Sequence, residues 1–423
     1  DGLVLPDRTP SVSLLEYKNG IRPFTVRWEN GKLYVKNRLD FTELSSFLKL
    51  EYQILSDNGE GVSGGLVQLP KIFPHEEKVI SFEESLAPGQ SLLFTGVTIK
   101  EAPFVSAGHS VGFEQVFPFG EPACLPIVPA VPGEISLEEN GETFIITAAG
   151  FRYRFNRNTG LFDSLTANNV SFLQKSMEWN LWRAPTDNDQ YLRIKWQEAG
   201  FDRTTVRVYE SKAQLENGVA VITCRLSISA VFIQKILTAD VRWEIGGDGR
   251  LNGSFHIVRN EDFTWENALL PLPRFGVRLF MPETFSKVSY YGYGPGESYC
   301  DKHLSAYLGQ FSSSVEEQYE EYLKPQENGS HFGTRWVTVS DRNMGLSARS
   351  NSPFFFSVSP FTQEELTEKT HSYQLETSGY TIWCLDYKQN GIGSNSCGPL
   401  TEKPYRFEER EFTFSLELKP EIL

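Results

Sequence analysis

Short runs of alternating apolar and polar residues, broken by asparagine–glycine and similar turn pairs, recur along this chain and constrain it more than any other feature. Residues 24–28 and 32–37 flank Glu29-Asn30-Gly31. Asn-Gly between two extended runs is a strong hairpin signal, because both turn residues must take up positive φ. Phe151, Tyr153 and Phe155 alternate with Arg152 and Arg154 ahead of Arg157-Asn158-Thr159-Gly160, which is the period of a half-buried strand. The pattern continues to Glu411-Phe412-Thr413-Phe414-Ser415-Leu416 near the end of the sequence. Helix signals are few. Residues 313–323 open with Ser313 and Glu316, and residues 362–369 with Thr362 and Glu365, both at capping-box spacing. The chain is therefore expected to be all-β, built from sandwiches rather than alternating βα units.

Pro118, Pro122, Pro126, Pro129 and Pro132 crowd one stretch. Proline fixes φ and removes ladder donors, so residues 118–134 read as an extended linker. It divides the 423 residues into 1–117, the size of an immunoglobulin-like sandwich, and 135–423. No repeat of 20–50 residues is visible, which disfavours a solenoid or propeller. The formal net charge of -14 argues against nucleic acid and anionic membrane, since both require a basic face. Aromatic residues make up 13% of the chain; they suit pleated strands and sugar-binding faces alike. A neutral polar substrate or another protein fits this balance better. Five scattered cysteines without a CxxC pair imply neither a zinc site nor a disulfide framework. No run of about 18 apolar residues occurs, so no membrane helix is expected. The opening Asp1-Gly2 suggests a segment of a longer protein. A cytoplasmic location is expected, with a periplasmic or secreted one as the alternative; three Asn-x-Ser sequons are too weak a pattern to establish secretion.

Local motifs offer little self-sufficient chemistry. Asp187-Asn188-Asp189 lacks the alternation of a calcium loop, whose sixth position would here be Leu192 rather than glycine. Two carboxylates two residues apart on an extended segment lie up to about 6.6–7.2 Å apart at Cα, beyond the spacing of about 5–5.5 Å that a retaining glycosidase needs between its carboxyls. The plain reading is an Asx-rich turn after Pro185. The Tyr290–Glu297 stretch, YYGYGPGE, and the GIGSNSCGP loop at 391–399 lack the helix that a phosphate loop requires. Six histidines show no HExxH, and no Gly-x-Ser-x-Gly elbow is present. Cys397 has no histidine near it in sequence. From the residues alone, no catalytic residue and no metal ligand is assigned.

Four stretches, taken in order, resemble the C-terminal part of the glycoside hydrolase family 2 β-galactosidases. The opening GLVLPDRTPSVSLLEYK at 2–18 is similar to the segment leaving that family's catalytic barrel. WRAPTDND matches an R-A-P-x-D-N-D signature at Arg183, Ala184, Pro185, Asp187, Asn188 and Asp189. YYGYGPGESYCD matches G-x-G-P-x-E-x-Y-x-D at Gly292, Gly294, Pro295, Glu297, Tyr299 and Asp301. YLKPQENGSHFGTRW matches P-x-E-N-G-x-x-x-G-T-R at Pro325, Glu327, Asn328, Gly329, Gly333, Thr334 and Arg335.

The resemblance implies an immunoglobulin-like β-sandwich followed by a large antiparallel β-supersandwich. It implies a retaining hydrolase of terminal β-D-galactosides whose two catalytic glutamates lie on a barrel preceding Gly2. Magnesium and a monovalent cation are implied for the full-length enzyme, with none in this segment. The barrel, a β-galactoside and a homo-oligomer are the implied partners. Gln190, Tyr191 and Leu192 would form a mobile part of the substrate-cleft wall, with Asn395, Ser396 and Cys397 as a second contact. Arg183, Asp187, Asn188, Asp189, Glu297, Glu327, Asn328 and Arg335 would be structural supports. Some relatives carry a sugar-stacking tryptophan where Cys397 falls, and a thiol lacks that flat apolar face. A stand-alone carbohydrate-binding sandwich and a structural module at an oligomer interface are the competing expectations. The 423 residues alone are expected to be inactive.

Overall fold

The computed structural model describes residues 3–393 and 398–423 and is built almost wholly of antiparallel strands. Two compact units emerge. The first takes Asp1–Ala123 together with Tyr291–Gly296 and His303–Phe311; the second takes the remainder.

In the first unit, Phe24–Glu29, Lys32–Asn37 and Glu77–Ile80 form one sheet. Gly61–Val67, Leu48–Leu55, Ser91–Thr98 and Ser110–Val116 form the other. Alternate residues from both, among them Phe24, Val26, Leu33, Val35, Leu50, Ile54 and Phe94, make a single buried core, as the period-two pattern requires. Glu29 pairs with Lys32, so the first hairpin closes on Asn30 (φ 52°) and Gly31 (φ 72°) alone, the two-residue turn that Asn-Gly favours. Helix Val12–Gly20 precedes it and was not expected from the sequence. Its apolar residues form no stripe. Polar side chains hold it instead: Glu16 accepts from the Leu304 and Ser305 amides at 2.8 Å each, and Asn19 Oδ1 accepts from Phe113 N at 2.7 Å.

The second unit contains a long sheet with nine strands in its main run and a five-stranded one. The long sheet runs from Lys175–Asn180 through Arg274–Pro282, Tyr380–Gln389, Met344–Ser359, Glu411–Ile422 and Leu251–Arg259 to Thr204–Glu216. The smaller sheet, 136–171, buries Phe151, Tyr153 and Phe155 as their alternation predicts. Phe162 packs edge-on against Trp243 at 5.1 Å; Tyr153 Oη donates to Gly249 O at 2.7 Å and Trp243 Nε1 to Gly160 O at 3.4 Å, so the polar atoms of both buried rings are satisfied. The all-β sandwich expectation is met. Residues 118–134 carry neither helix nor strand.

Of the two expected helices, 362–369 forms as Gln363–Glu368, with Thr362 Oγ1 accepting from Glu365 N at 3.0 Å. Residues 313–323 do not form a helix. Only a 3-10 turn at Glu316–Gln318 appears, and the reciprocal cap is Ser314 with Glu317, one residue later than expected. Tertiary contacts override the cap. Gln318 is buried and donates to Ser313 Oγ at 2.6 Å, while Asn328 accepts from Glu320 N at 3.1 Å and draws the chain into extended form from Tyr319 on.

A Cβ at Gly31 would meet nothing within 4 Å, so Gly31→Ala tests conformation alone. The substitution is expected to destabilise the first unit by about 1–2 kcal/mol, the left-handed cost for a residue bearing Cβ, and Asn30→Gly by less. Thermal denaturation of the two variants beside the parent checks this; equal midpoints would refute the turn assignment.

Candidate functional site

The stretch after strand Lys175–Asn180 runs extended to Thr186, makes a 3-10 turn over Asp187–Asp189, and enters helix Leu192–Glu198. Arg183 is fully buried within it. A buried guanidinium demands partners for its donors, and the acidic triplet supplies the first. Arg183 Nη2 and Nε reach Asp189 Oδ1 and Oδ2 at 2.7 and 3.2 Å. Asp189 Oδ2 also accepts from Thr186 N at 2.9 Å, which closes the turn. Two more Arg183 donors go to a distant segment, to Asn390 O and, at 3.1 Å, to Gly391 O. Asn188 Nδ2 donates to Ile392 O at 2.8 Å. From the other side Asp301 accepts from Ile392 N at 3.1 Å and Gly393 N at 2.8 Å. Residues 390–393 are thus gripped by carbonyl and amide together.

Asp187 behaves differently from its neighbour. Its amide donates to Gln326 Oε1 at 3.1 Å, but its carboxylate is 40% exposed and lies 4.0 Å from Lys324 Nζ. The two aspartates therefore do not act as a pair, since one is locked in a buried ion pair and the other faces solvent.

Beneath this loop lies a second buried cation. Arg274 Nε bonds Asp386 Oδ2 at 3.0 Å, and its Nη1 bonds Glu327 Oε2 at 3.1 Å. Glu327 N donates to Ala184 O at 3.0 Å, joining this pair of acids to the Arg183 segment. Burial raises both carboxyls above their ordinary values, and Arg274, joined by Arg183 in the case of Glu327, offsets only part of that. Glu297 accepts from Lys302 Nζ at 2.7 Å, from Gly329 N at 3.0 Å and from Tyr322 Oη. Asn328 spans its own turn through Glu320 N and Gln326 O. Arg335 is buried and bonds locally to Gly333 O.

The structure therefore gathers Arg183, Asn188, Asp189 and Glu327 into one network and uses Glu297 and Asn328 to shape the 326–329 turn. Asp301, matched in the G-x-G-P-x-E-x-Y-x-D pattern, completes the arrangement with Arg274 and Asp386, which were not singled out from sequence; the available signal was charge inside the otherwise apolar strands RFGVRLF and IWCLDY. Of the expected cleft-wall residues, Tyr191 is 57% exposed while Leu192 is buried and turns inward. Gln190 is partly buried between them. Asn395, Ser396 and Cys397 lie outside the described residues. Burial pushes the Cys224 and Cys300 thiols up to about 12 and that of Cys384 to about 11, so none of the three is a thiolate nucleophile at neutral pH. Among the described residues no three His, Cys, Asp or Glu side chains converge to hold a metal ion.

Comparison with known proteins matches two successive stretches of the chain. Residues 147–418 match the model for "Beta galactosidase small chain" and residues 33–117 that for "Beta-galactosidase, domain 4". The β-galactosidase of Actinobacillus pleuropneumoniae is 36% identical over 421 residues, covering 99% of this chain and 41% of that protein. That of Staphylococcus xylosus is 29% identical, covering 99% and 42%, and that of Kluyveromyces lactis 25%, covering 99% and 39%. The chain thus spans about two fifths of the length of these curated relatives. Solved structures align more loosely; galactose 1-epimerase from Lactobacillus acidophilus NCFM reaches a TM-score of 0.36 at 8% identity, over 68% of this chain and 98% of that one, which is too low to build on.

The shared cation yields a pH-dependent prediction. Arg274→Met removes the ion-pair partner that Glu327 and Asp386 share, leaving Arg183 as the cation that still acts on Glu327, at a cost of about 3–5 kcal/mol near neutral pH. Both folded carboxyls sit above their unfolded values, so their contribution to stability is present at acid pH and is lost as pH rises through the folded values. Without Arg274 that loss deepens. The stability gap between variant and parent should therefore shrink as pH falls toward the ordinary carboxyl range of about 4. Denaturant titrations at several pH values measure it, and a pH-independent gap would rule the shared-cation account out.

Proposed function

Because the chain belongs to the β-galactosidase small-chain family, we propose that it is the non-catalytic C-terminal portion of a β-galactosidase that hydrolyses terminal β-D-galactosides. The observation that carries this reading is the division of labour in the Arg183 network. Asp189 is committed to Arg183, Glu327 and Asp386 to Arg274, and Glu297 to Lys302. A general acid must be free to exchange its proton, and a nucleophile must face its substrate. These carboxylates do neither, and what they do instead is fix backbone.

On this reading the two glutamates of a retaining mechanism, a glycosyl-forming nucleophile and an acid/base, reside on the barrel of the same polypeptide. This portion forms one wall of the substrate cleft through Gln190 and Tyr191 and the loop rooted at 390–393, and it supports homo-oligomer assembly. The magnesium and monovalent cation implied by the resemblance are given no residue of this chain. A cytoplasmic location belongs to the same proposal, and among the described residues no helix is long and apolar enough to cross a membrane.

Two preparations test it: the 423-residue chain, and the full-length polypeptide that carries it. The full-length protein is expected to release the chromophore from a nitrophenyl β-galactoside, and the 423-residue chain to release none while giving a cooperative melting curve. Turnover by the chain freed of host enzyme would overturn its non-catalytic role. Sugar binding by a polypeptide that lacks a barrel altogether would favour the stand-alone carbohydrate-binding reading.

A further inference from the structure

The second unit holds a cavity of about 150 Å³ that the Arg183 network leaves unused. Leu192, Trp265, Pro271, Asn390, Thr401 and Arg406 border it. A shallower depression of about 370 Å³ shares Trp265 and Glu266 with it and extends to Tyr191. Trp265 thus lines both.

The tryptophan is presented deliberately. Thr264–Trp265 pairs with Ala268–Leu269, Trp265 opposite Ala268, leaving a two-residue turn at Glu266 (φ 51°) and Asn267 (φ 62°). Asparagine accepts that conformation readily, whereas glutamate does so under strain, and such strain persists only where the surroundings fix it. Here they do. Leu270 N donates to Phe263 O at 2.8 Å, continuing the hairpin. The buried Arg259 ties its base to the opposite wall, donating to Leu270 O at 2.5 Å and Phe407 O at 3.0 Å. Burial pushes the Arg259 guanidinium down to about 10, so it remains charged near neutral pH. Trp196 Nε1 reaches Pro271 O at 2.8 Å, Phe407 N reaches Asn390 Oδ1 at 3.0 Å, and Arg406 Nε reaches Thr401 O at 2.5 Å. Helix, hairpin and both loop segments are cross-tied, so the cradle exists before any ligand arrives.

Trp265 itself is half-buried. Among the described residues its ring pairs with no other aromatic, and its indole N–H has no hydrogen-bond partner. At the rim stand Arg406 and Glu408, 3.4 Å apart, with Lys195 and Glu266 on the open side. Two charges of each sign select neither an anion nor a cation. They offer planar donors and acceptors to a neutral ligand rich in hydroxyls. A space of this size accommodates one six-membered ring and is too small for the ligands of ordinary drug-sized pockets.

We propose that this cradle is a sugar-binding subsite in which one pyranose ring lays its apolar face on Trp265 while its hydroxyls meet Arg406, Glu408 and Glu266. The choice of a sugar over other polyols rests on the β-galactosidase reading; the cradle's geometry does not.

The test uses the full-length protein labelled with fluorotryptophan. The Trp265 fluorine resonance is identified by its absence in Trp265→Phe, and D-glucose and cellobiose, which are not β-galactosides, are titrated in. A saturable shift is expected, with a dissociation constant on the order of millimolar. Trp265→Ala should weaken binding several-fold by calorimetry, and Trp265→Phe should retain most of it, because a phenyl ring still offers a flat apolar face. A resonance unmoved by both sugars, or an alanine variant that binds as well as the parent, would overturn the subsite. Turnover of a nitrophenyl β-galactoside is measured on the same unsubstituted sample. An active protein with a silent Trp265 overturns the subsite alone, and an inactive one whose Trp265 responds to sugar overturns the enzymatic reading alone.

Discussion

The ion pair of Arg183 with Asp189 organises the turn at 186–190 and the segment at 390–393 in the second unit, because a guanidinium in a dry interior must have its donors met. Asp189 satisfies two N–H groups, and the carbonyls of Asn390 and Gly391 take two more. Those carbonyls are consequently turned inward, and this leaves the amides of Ile392 and Gly393 to Asp301. A chain segment with alternate groups claimed from two sides has little freedom left. Substituting alanine for either partner of the pair would leave the other charged and buried, so the two positions stand or fall together.

That ion pair depends in turn on the sheet below it. Strands Arg274–Pro282 and Tyr380–Gln389 are neighbours, with Gly276 opposite Asp386 and a bulge between Phe275 and Gly276. A bulge re-aims side chains locally, and here it accompanies the meeting of Arg274 with Asp386. Glycine is required at the crossing, since a Cβ on Gly276 would come within 2.0 Å of Leu385 O and 2.5 Å of Asp386 Oδ1. Glu327 then links the layers, taking Arg274 with its carboxylate and Ala184 with its amide. Buried charge of this kind contributes little net stability compared with a well-packed apolar core. What it supplies is a single permitted arrangement for loops that would otherwise have many, on a scaffold rigid enough to keep it.

The Trp265 cradle is built by the same logic with different residues. Arg259 bridges backbone carbonyls of the hairpin and of the 407–409 segment, as Arg183 bridges its turn and residues 390–391. Asn390 takes part in both, giving its carbonyl to Arg183 and its side-chain oxygen to Phe407 N. The two arrangements are therefore mechanically continuous within the unit.

Local chemistry determined much of this protein by itself. Period-two alternation with Asn-Gly and Gly turns specified strands, the hairpin at 24–37 and the all-β class, because side-chain direction in a strand and positive φ in a turn are properties of adjacent residues. The Arg183 to Asp189 stretch was legible as a structural turn for the same reason, its Asp189 reaching only as far as Thr186 and Arg183. Three things were decided by tertiary structure. The 313–323 segment has a helix signal that buried Gln318 and Asn328 overrule. Helix Val12–Gly20 has no apolar stripe and is fixed by Glu16 and Asn19 reaching distant backbone. Arg274, Asp301 and Asp386 lie 53 residues or more from their nearest main partners, and Trp265 gains its place only when residues 190s, 260s and 400s converge. A strand sequence shows that a charged residue is present; which of several buried charges will face it is settled by sheet register and crossing, and these exist only once the chain has folded.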